Sequence, residues 1–427
     1  MLKQTMLAVF ALTIVAGIGI AAVQSQPDAT LLAKAKAIHE RVLTVDSHVD
    51  ILGPAYATPA LDPGKPTDLK CDLPKMKAGG LDAVFLAVFT SQRPEWNAPG
   101  YKAVYDEAID RFDAIDRLRK MHPELCELAR TPADVERIEK TGKRVILVGV
   151  ENGYPMGDDV RNLGVFYDRG ARYVTLVHGS HNQLADSSGP AEPKHNGLSE
   201  LGKKAVAEMN RLGIIVDTSH ASAKAFWDAI AMSKAPIMAS HSGCTALARS
   251  DRNLDDEQLK ALAKNGGVIQ IVALGSYLKE DSPERAAAVR KLREELGFGG
   301  RGARRPAAGG GGQPPAQVTP EQQADRQKIR AVMQERMKEI DAKFPPATLK
   351  EFADHIDHAV KVAGIEHVGV GTDFDGGGGV PGFNDHSEAL NVTVELLRRG
   401  YNEDQIRKIW GGNLMRVWRE VNRVAGK

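Results

Sequence analysis

Seven side chains able to bind a metal or carry a proton stand at the downstream ends of separate apolar runs: His48, Asp50, Glu151, His178, His220, His241 and Asp373. The run Val42–Val45 leads into Asp46-Ser47-His48-Val49-Asp50. Alternate residues of an extended chain share a face, so His48 and Asp50 can point at one ion. Val145–Val150 leads into Glu151, and Tyr173–Val177 into His178. Ile214–Asp217 precedes Thr218-Ser219-His220, Pro236–Ala239 precedes Ser240-His241-Ser242, and Val368–Gly371 precedes Thr372-Asp373-Phe374-Asp375-Gly376. Each residue alone has a plainer explanation. A strand-end histidine is more often a hydrogen-bonded core or rim residue, Glu151 could pair with a surface cation, and Asp373 could turn the chain into Gly376–Gly379. Stability alone gives no reason for four imidazoles and three carboxylates to collect at one end of separate strands.

The donor types narrow the chemistry. Imidazole and carboxylate without thiolate suit Zn²⁺ and similar divalent ions. His48, Asp50, Glu151, His220 and His241 together exceed the three protein ligands of one catalytic zinc. A carboxylate shared by two ions resolves the excess, and Glu151 is the natural bridge. Two ions about 3.5–4 Å apart can share and acidify a hydroxide and polarise a carbonyl. Asp373 would then move the proton, which amounts to metal-assisted hydrolysis.

Those residues need a scaffold that brings strand ends together. Besides the runs above, Ala83–Phe89 and Val268–Ala273 read as strands, giving eight in all. Continuous apolar strands imply burial on both faces, hence a parallel sheet. Amphipathic stretches such as Gly197–Leu212, Ser222–Met232 and Asp255–Lys264 separate them. Eight alternations predict an α/β protein of the (β/α)₈ TIM-barrel type, whose active sites lie at the C-terminal ends of the strands. An open doubly wound sheet is the alternative. Between the seventh and eighth strands the rhythm breaks, with an insertion over residues 280–345. Its centre, 297–317, holds Gly309–Gly312, Pro306, Pro314, Pro315, Arg301, Arg304 and Arg305, and reads as a flexible loop. Thr319-Pro320-Glu321-Gln322 then reads as the start of a charged helix reaching about Lys343. Further helices are expected around Ser387–Arg399 and Glu403–Val424.

With 56 basic and 55 acidic residues, the chain offers no basic stripe for nucleic acid. Lys3 and the apolar run Met6–Val23, followed by small and polar residues, predict an export signal over residues 1–25 or an uncleaved anchor. The folded part, residues 30–427 as one unit, is expected outside the cytoplasm, periplasmic or secreted, and any membrane attachment would be N-terminal. A homodimer is left open. Cys71 and Cys126 could pair in an oxidising compartment, whereas Cys244 reads as a small buried apolar residue.

At this point the chain resembles the membrane (renal) dipeptidase family of zinc peptidases. The resemblance rests on Asp46–Asp50, Gly149-Val150-Glu151-Asn152-Gly153, Arg172–His178, Ala185-Asp186-Ser187, Met209–Gly213, Val216–His220, Ser240-His241-Ser242, Arg252-Asn253 and Gly371–Gly376. It spans about Lys36 to Val421 apart from the insertion. It implies a (β/α)₈ barrel holding two zinc ions that hydrolyse dipeptides. By that resemblance His48, Asp50 and Glu151 hold one zinc, and Glu151, His220 and His241 the other. His178 would meet the substrate carbonyl and oxyanion, Arg252 would clamp the C-terminal carboxylate, Tyr277 would line that pocket, and Asp373 would transfer the proton. Asn152-Gly153-Tyr154 replaces a more usual Gly-Gly-His, Ser47 and Val49 replace Gly and Asn, and Leu184 stands where many members carry Trp. These departures bear on side-chain preference. The C-terminus lacks the apolar tail that precedes a lipid anchor in some animal members. Two rival readings are a lactonase or cyclic-amide hydrolase and a non-catalytic extracytoplasmic binding protein. The first expects His-x-His and a carboxylated lysine where this chain has His48-x-Asp50 and Glu151. The second expects a missing ligand, and every position is filled.

Overall fold

The computed structural model describes residues 29–51, 53–296 and 320–427. The export segment expected over residues 1–25 and the stretch 297–317 lie outside them. No described helix is long and apolar enough to cross a membrane.

One parallel sheet organises the chain. Its strands are β1 (Val45–Asp50), β2 (Ala83–Phe89), β3 (Cys126–Leu128), β4 (Arg144–Glu151) and β5 (Ala171–Thr175). They continue as β6 (Ile215–Asp217), β7 (Met238–Ser242), β8 (Val268–Ile271) and β9 (Val368–Val370). Eight follow the order β1-β2-β4-β5-β6-β7-β8-β9, and β3 pairs only with β4. Spatial order follows chain order with no reversal, which removes the doubly wound alternative. Chain beyond β9 lies against β1: the Asp50 amide donates to the Phe374 carbonyl at 2.9 Å and the Asp373 amide to that of His48 at 3.0 Å. The sheet is thereby nearly closed into a (β/α)₈ barrel.

Strand alternation divides the core. Val45, Ala83, Phe85, Val145, Leu147 and Tyr173 belong to one apolar cluster, in which Leu414, Trp418 and Val421 of the last helix (Asn413–Val424) also pack. Their sequence neighbours Val84, Leu86, Ile146 and Val148 belong to a second cluster with the surrounding helices. The expected helices form as Glu200–Leu212, Ala223–Met232 and Asp256–Lys264, capped by Ser199, Ser222 and Asp255, whose side chains accept from the first turn. Helix Pro320–Lys343 starts where the proline signal placed it. It meets the preceding helix (Pro283–Glu295) through Arg285, which donates to Asp341 at 2.7 Å.

Strand bounds shift from the sequence reading by a few residues, most at β1 and β7, and one strand was not expected. β1 runs over Val45–Asp50 and not Val42–Val45, because Asp46 and Ser47 find hydrogen-bond partners in Thr372 and Ser240 and need not leave the sheet. β3 was not anticipated, since Glu127 at its centre leaves no apolar run to read. The cysteines are all free and buried, so no Cys71–Cys126 disulfide exists. Cys244 is a core residue as expected, its Sγ lying 3.6 Å from the His355 carbonyl oxygen.

Candidate metal centre

The seven residues converge at the downstream ends of the strands. His48, Asp50, Glu151 and His241 lie within the ends of β1, β4 and β7 and not just past them, while His220 and Asp373 stand three residues beyond β6 and β9. Ladder irregularities flank the site: the register shifts between Asp46 and Val49 in β1 and between Ala239 and Ser242 in β7. Such bulges re-aim side chains beside active sites. Backbone strain collects here as well. Asn152 (φ 81°), His220 (φ 68°), Asp373 (φ 59°) and Asp375 (φ 63°) are four of the six described non-glycine residues with positive φ.

Glu151 is the hub, and its two oxygens face different partners. Oε2 lies 3.5 Å from His48 Nε2, whereas Oε1 lies 3.0 Å from His220 Nε2 and 3.5 Å from both His241 Nε2 and His178 Nε2. His48 Nε2 is also 3.8 Å from Asp50 Oδ1 and 4.0 Å from Asp373 Oδ1. The nitrogens of His220 and His241 stand 2.9 Å apart. Ligand atoms about 2 Å from a tetrahedral ion are separated by about 3.3 Å, so these spacings suit coordination. His178 is as close to Glu151 as His241 is, and its atoms group with Glu151 and His220 within 4.8 Å. His48, Asp50 and Glu151 form another such group, and His48, His241 and Asp373 a third.

Three further features fit a cation. His48 Nε2 and Asp50 Oδ1 are buried without a hydrogen-bond partner. A Cβ on Gly376 would sit 2.3 Å from Asp373 Oδ1 and 2.4 Å from Asp50 Oδ2, so only glycine leaves the carboxylates that approach. Titration behaviour completes the picture. Burial disfavours a charged His48, yet Glu151 overrides it and lifts the ring to about 10. Burial and Glu151 push Asp50 well above the carboxylate range. Glu151 is held well below that range despite burial, chiefly by His48 and His178. Burial, reinforced by Arg252 and His48 respectively, holds His220 and His241 neutral to far below the usual imidazole value. Positive charge is favoured where His48 meets Glu151, Asp50 and Asp373.

Neighbours orient the rings. Tyr173 Oη lies 2.8 Å from His48 Nδ1, and a Cβ on Gly149 would fall 1.9 Å from the Tyr173 ring, so glycine is required for that reach. Ser240 Oγ lies 2.8 Å from His241 Nδ1. Arg252 donates to the His241 carbonyl at 3.2 Å and stands 5.3 Å above the Tyr277 ring, with its Nε unpartnered. Asp375 turns away to accept the Lys70 and Cys71 amides. Sequence reasoning missed Asp46, Tyr173 and Asp217 as contributors. The available signal was a carboxylate or phenol inside an otherwise apolar strand.

A nearly closed parallel barrel with a histidine–carboxylate cluster at its strand ends defines a metal-dependent hydrolase. More narrowly, the chain belongs to the membrane dipeptidase family, peptidase family M19, whose model matches residues 32–427. It is similar to dipeptidase aclJ of Aspergillus oryzae, 31% identical over 83% of this chain and 70% of that protein. Dipeptidase tcpJ of Claviceps purpurea is 30% identical over the same shares. The crystal structure of the probable dipeptidase PvdM from Pseudomonas aeruginosa superposes with a TM-score of 0.78 at 34% identity, covering 93% of this chain and 99% of that one. A metallo peptidase from Rhodobacter sphaeroides, liganded with a phosphinate mimic of the dipeptide L-Ala-D-Ala, shares the fold at a TM-score of 0.67 and 22% identity. This chain is accordingly a metallo-dipeptidase.

Proposed function

We propose that the chain is a binuclear zinc dipeptidase in which Glu151 bridges two ions, His48 and Asp50 completing one shell and His220 and His241 the other. The division of Glu151's oxygens carries this reading: Oε2 faces His48, while Oε1 faces His220 and His241. Zinc suits a set of nitrogens and carboxylate oxygens with no thiolate. Two such ions, held by these residues, would supply Lewis acidity for the scissile carbonyl and for the attacking water. Asp373 takes the proton from that water and delivers it to the leaving amine, a role supported by its approach to His48. His178, flanked by the Phe89 ring at 4.7 Å, donates to the developing oxyanion. Arg252 offers a guanidinium beside His241 for the C-terminal carboxylate of the dipeptide, and Tyr277 walls that end. The apolar N-terminal run supports export of the catalytic unit, residues 30–427 with its insertion at 280–345.

The deciding experiment counts metal and assays L,L- and L,D-dipeptides on Glu151→Gln beside the parent chain. A neutral amide bridges poorly, so both zinc equivalents and turnover should be lost. Retention of two full equivalents refutes the bridge.

A further inference from the structure

A buried carboxylate outside the proposed ligand set reaches the cluster through one hydroxyl. Asp217, at the end of β6, is fully buried and accepts from four donors. Its Oδ1 takes the backbone amides of Ser219 at 3.1 Å and Ser240 at 2.8 Å. Its Oδ2 takes the hydroxyls of Ser240 at 2.6 Å and Thr175. The Ser240 hydroxyl has one proton, and the carboxylate is the stronger acceptor. Ser240 therefore offers only lone pairs to His241 Nδ1, 2.8 Å away. The ring must donate from Nδ1, which leaves the Nε2 lone pair aimed at Glu151 and His220.

We infer that Asp217 is a positioning residue of the metal site, fixing the tautomer and orientation of His241 through Ser240. The inference rests on the reading of His241 as a ligand. It concerns the zinc held by His220 and His241 and leaves the His48–Asp50 position alone.

Asp217→Asn tests the tautomer. Two backbone amides at Oδ1 cannot turn away, so the new amide nitrogen must take the Oδ2 position. There it confronts the Ser240 and Thr175 hydroxyls, which rotate to accept. The Ser240 proton then points at His241 Nδ1 and drives the ring proton onto Nε2, where it blocks coordination. Ser240→Ala removes the relay with little steric change, Ser240→Thr restores it, and Thr175→Val strips a hydroxyl from the same carboxylate without touching His241.

Zinc affinities of the full chain are measured by chelator competition, with the visible spectrum of the cobalt-substituted protein as a second readout. Asp217→Asn and Ser240→Ala should each weaken one of the two metal equivalents by about 10–100-fold, shift the cobalt bands and spare the other equivalent. Ser240→Thr should recover affinity, and Thr175→Val should change neither equivalent. If Asp217→Asn does not fold, Ser240→Ala carries the test. Parent-like affinity and spectrum in Ser240→Ala overturns the inference, as does an equal loss in Thr175→Val, which would make the effect structural only. His241→Ala separates the two readings: retention of both equivalents there overturns the ligand assignment itself, whereas loss of one leaves it standing whatever the relay variants show.

Discussion

Asp46 in β1 and Asp217 in β6 are buried carboxylates with the same pattern of partner types. Each accepts two backbone amides on Oδ1 and two side-chain donors on Oδ2. For Asp46 the amides are those of His48 and Thr372, and the side chains are Thr372 at 2.6 Å and His386 at 2.8 Å. The partners differ in where they come from. Thr372 lies 326 residues and His386 340 residues from Asp46, so this carboxylate welds the seam where the chain after β9 meets β1. It sets the main chain immediately before Asp373. Asp217 gathers donors from the adjacent strands β5 and β7 and passes its preference to a single ring, His241. The same residue type therefore closes the barrel at one seam and orients a proposed ligand at the other.

Asp46→Ala should break the comparison hardest. It strands His386 and three further donors in the core, which costs about 3–5 kcal/mol of stability, measured by denaturant unfolding. Folded Asp46→Ala should also turn over slowly, because Asp373 loses its anchor. A loss confined to metal affinity would mean that Asp46 acts as Asp217 does. Asp373→Asn isolates the chemical part of that seam: kcat should fall by about 10²–10⁴-fold while metal content and unfolding midpoint stay at parent values. Near-normal turnover would remove Asp373 as the proton carrier. A smaller effect is expected from Gly149→Ala, whose Cβ drives the Tyr173 ring away from His48. It should cost about 1–3 kcal/mol and weaken the equivalent at His48 and Asp50, the opposite choice from the Ser240 variants. Smallest are Thr372→Val and Thr175→Val, each removing one hydroxyl from a carboxylate at about 1 kcal/mol. Thr372→Val should lower kcat as well as stability, and Thr175→Val stability alone. Matching kinetics in the two would erase the distinction between the seams.

Much of the candidate site was readable from the chain because side chains able to hold a metal are of few types and strand ends carry recognisable apolar runs. His48, Asp50, Glu151, His220, His241 and Asp373 needed only those two signals. Asp46 and Asp217 were in view within the same motifs, yet nothing in one sequence tells a saturated buried carboxylate from an exposed one. Tyr173 read as part of an apolar run. Its role depends on the gap left by Gly149 in the paired strand, a contact set by the register of β4 against β5.

The sequence alone determined the donor types, their order and the alternation of strands and helices, since these follow from local chemistry and hydrophobic period. Tertiary structure decided the rest. Register shifts in β1 and β7 and positive φ at His220 and Asp373 set where the side chains point. Sheet closure brought Asp46 to Thr372 and split the two oxygens of Glu151 between His48 on one side and His220 with His241 on the other. Those outcomes depend on long-range packing, which fixes backbone geometry that residue identity leaves free.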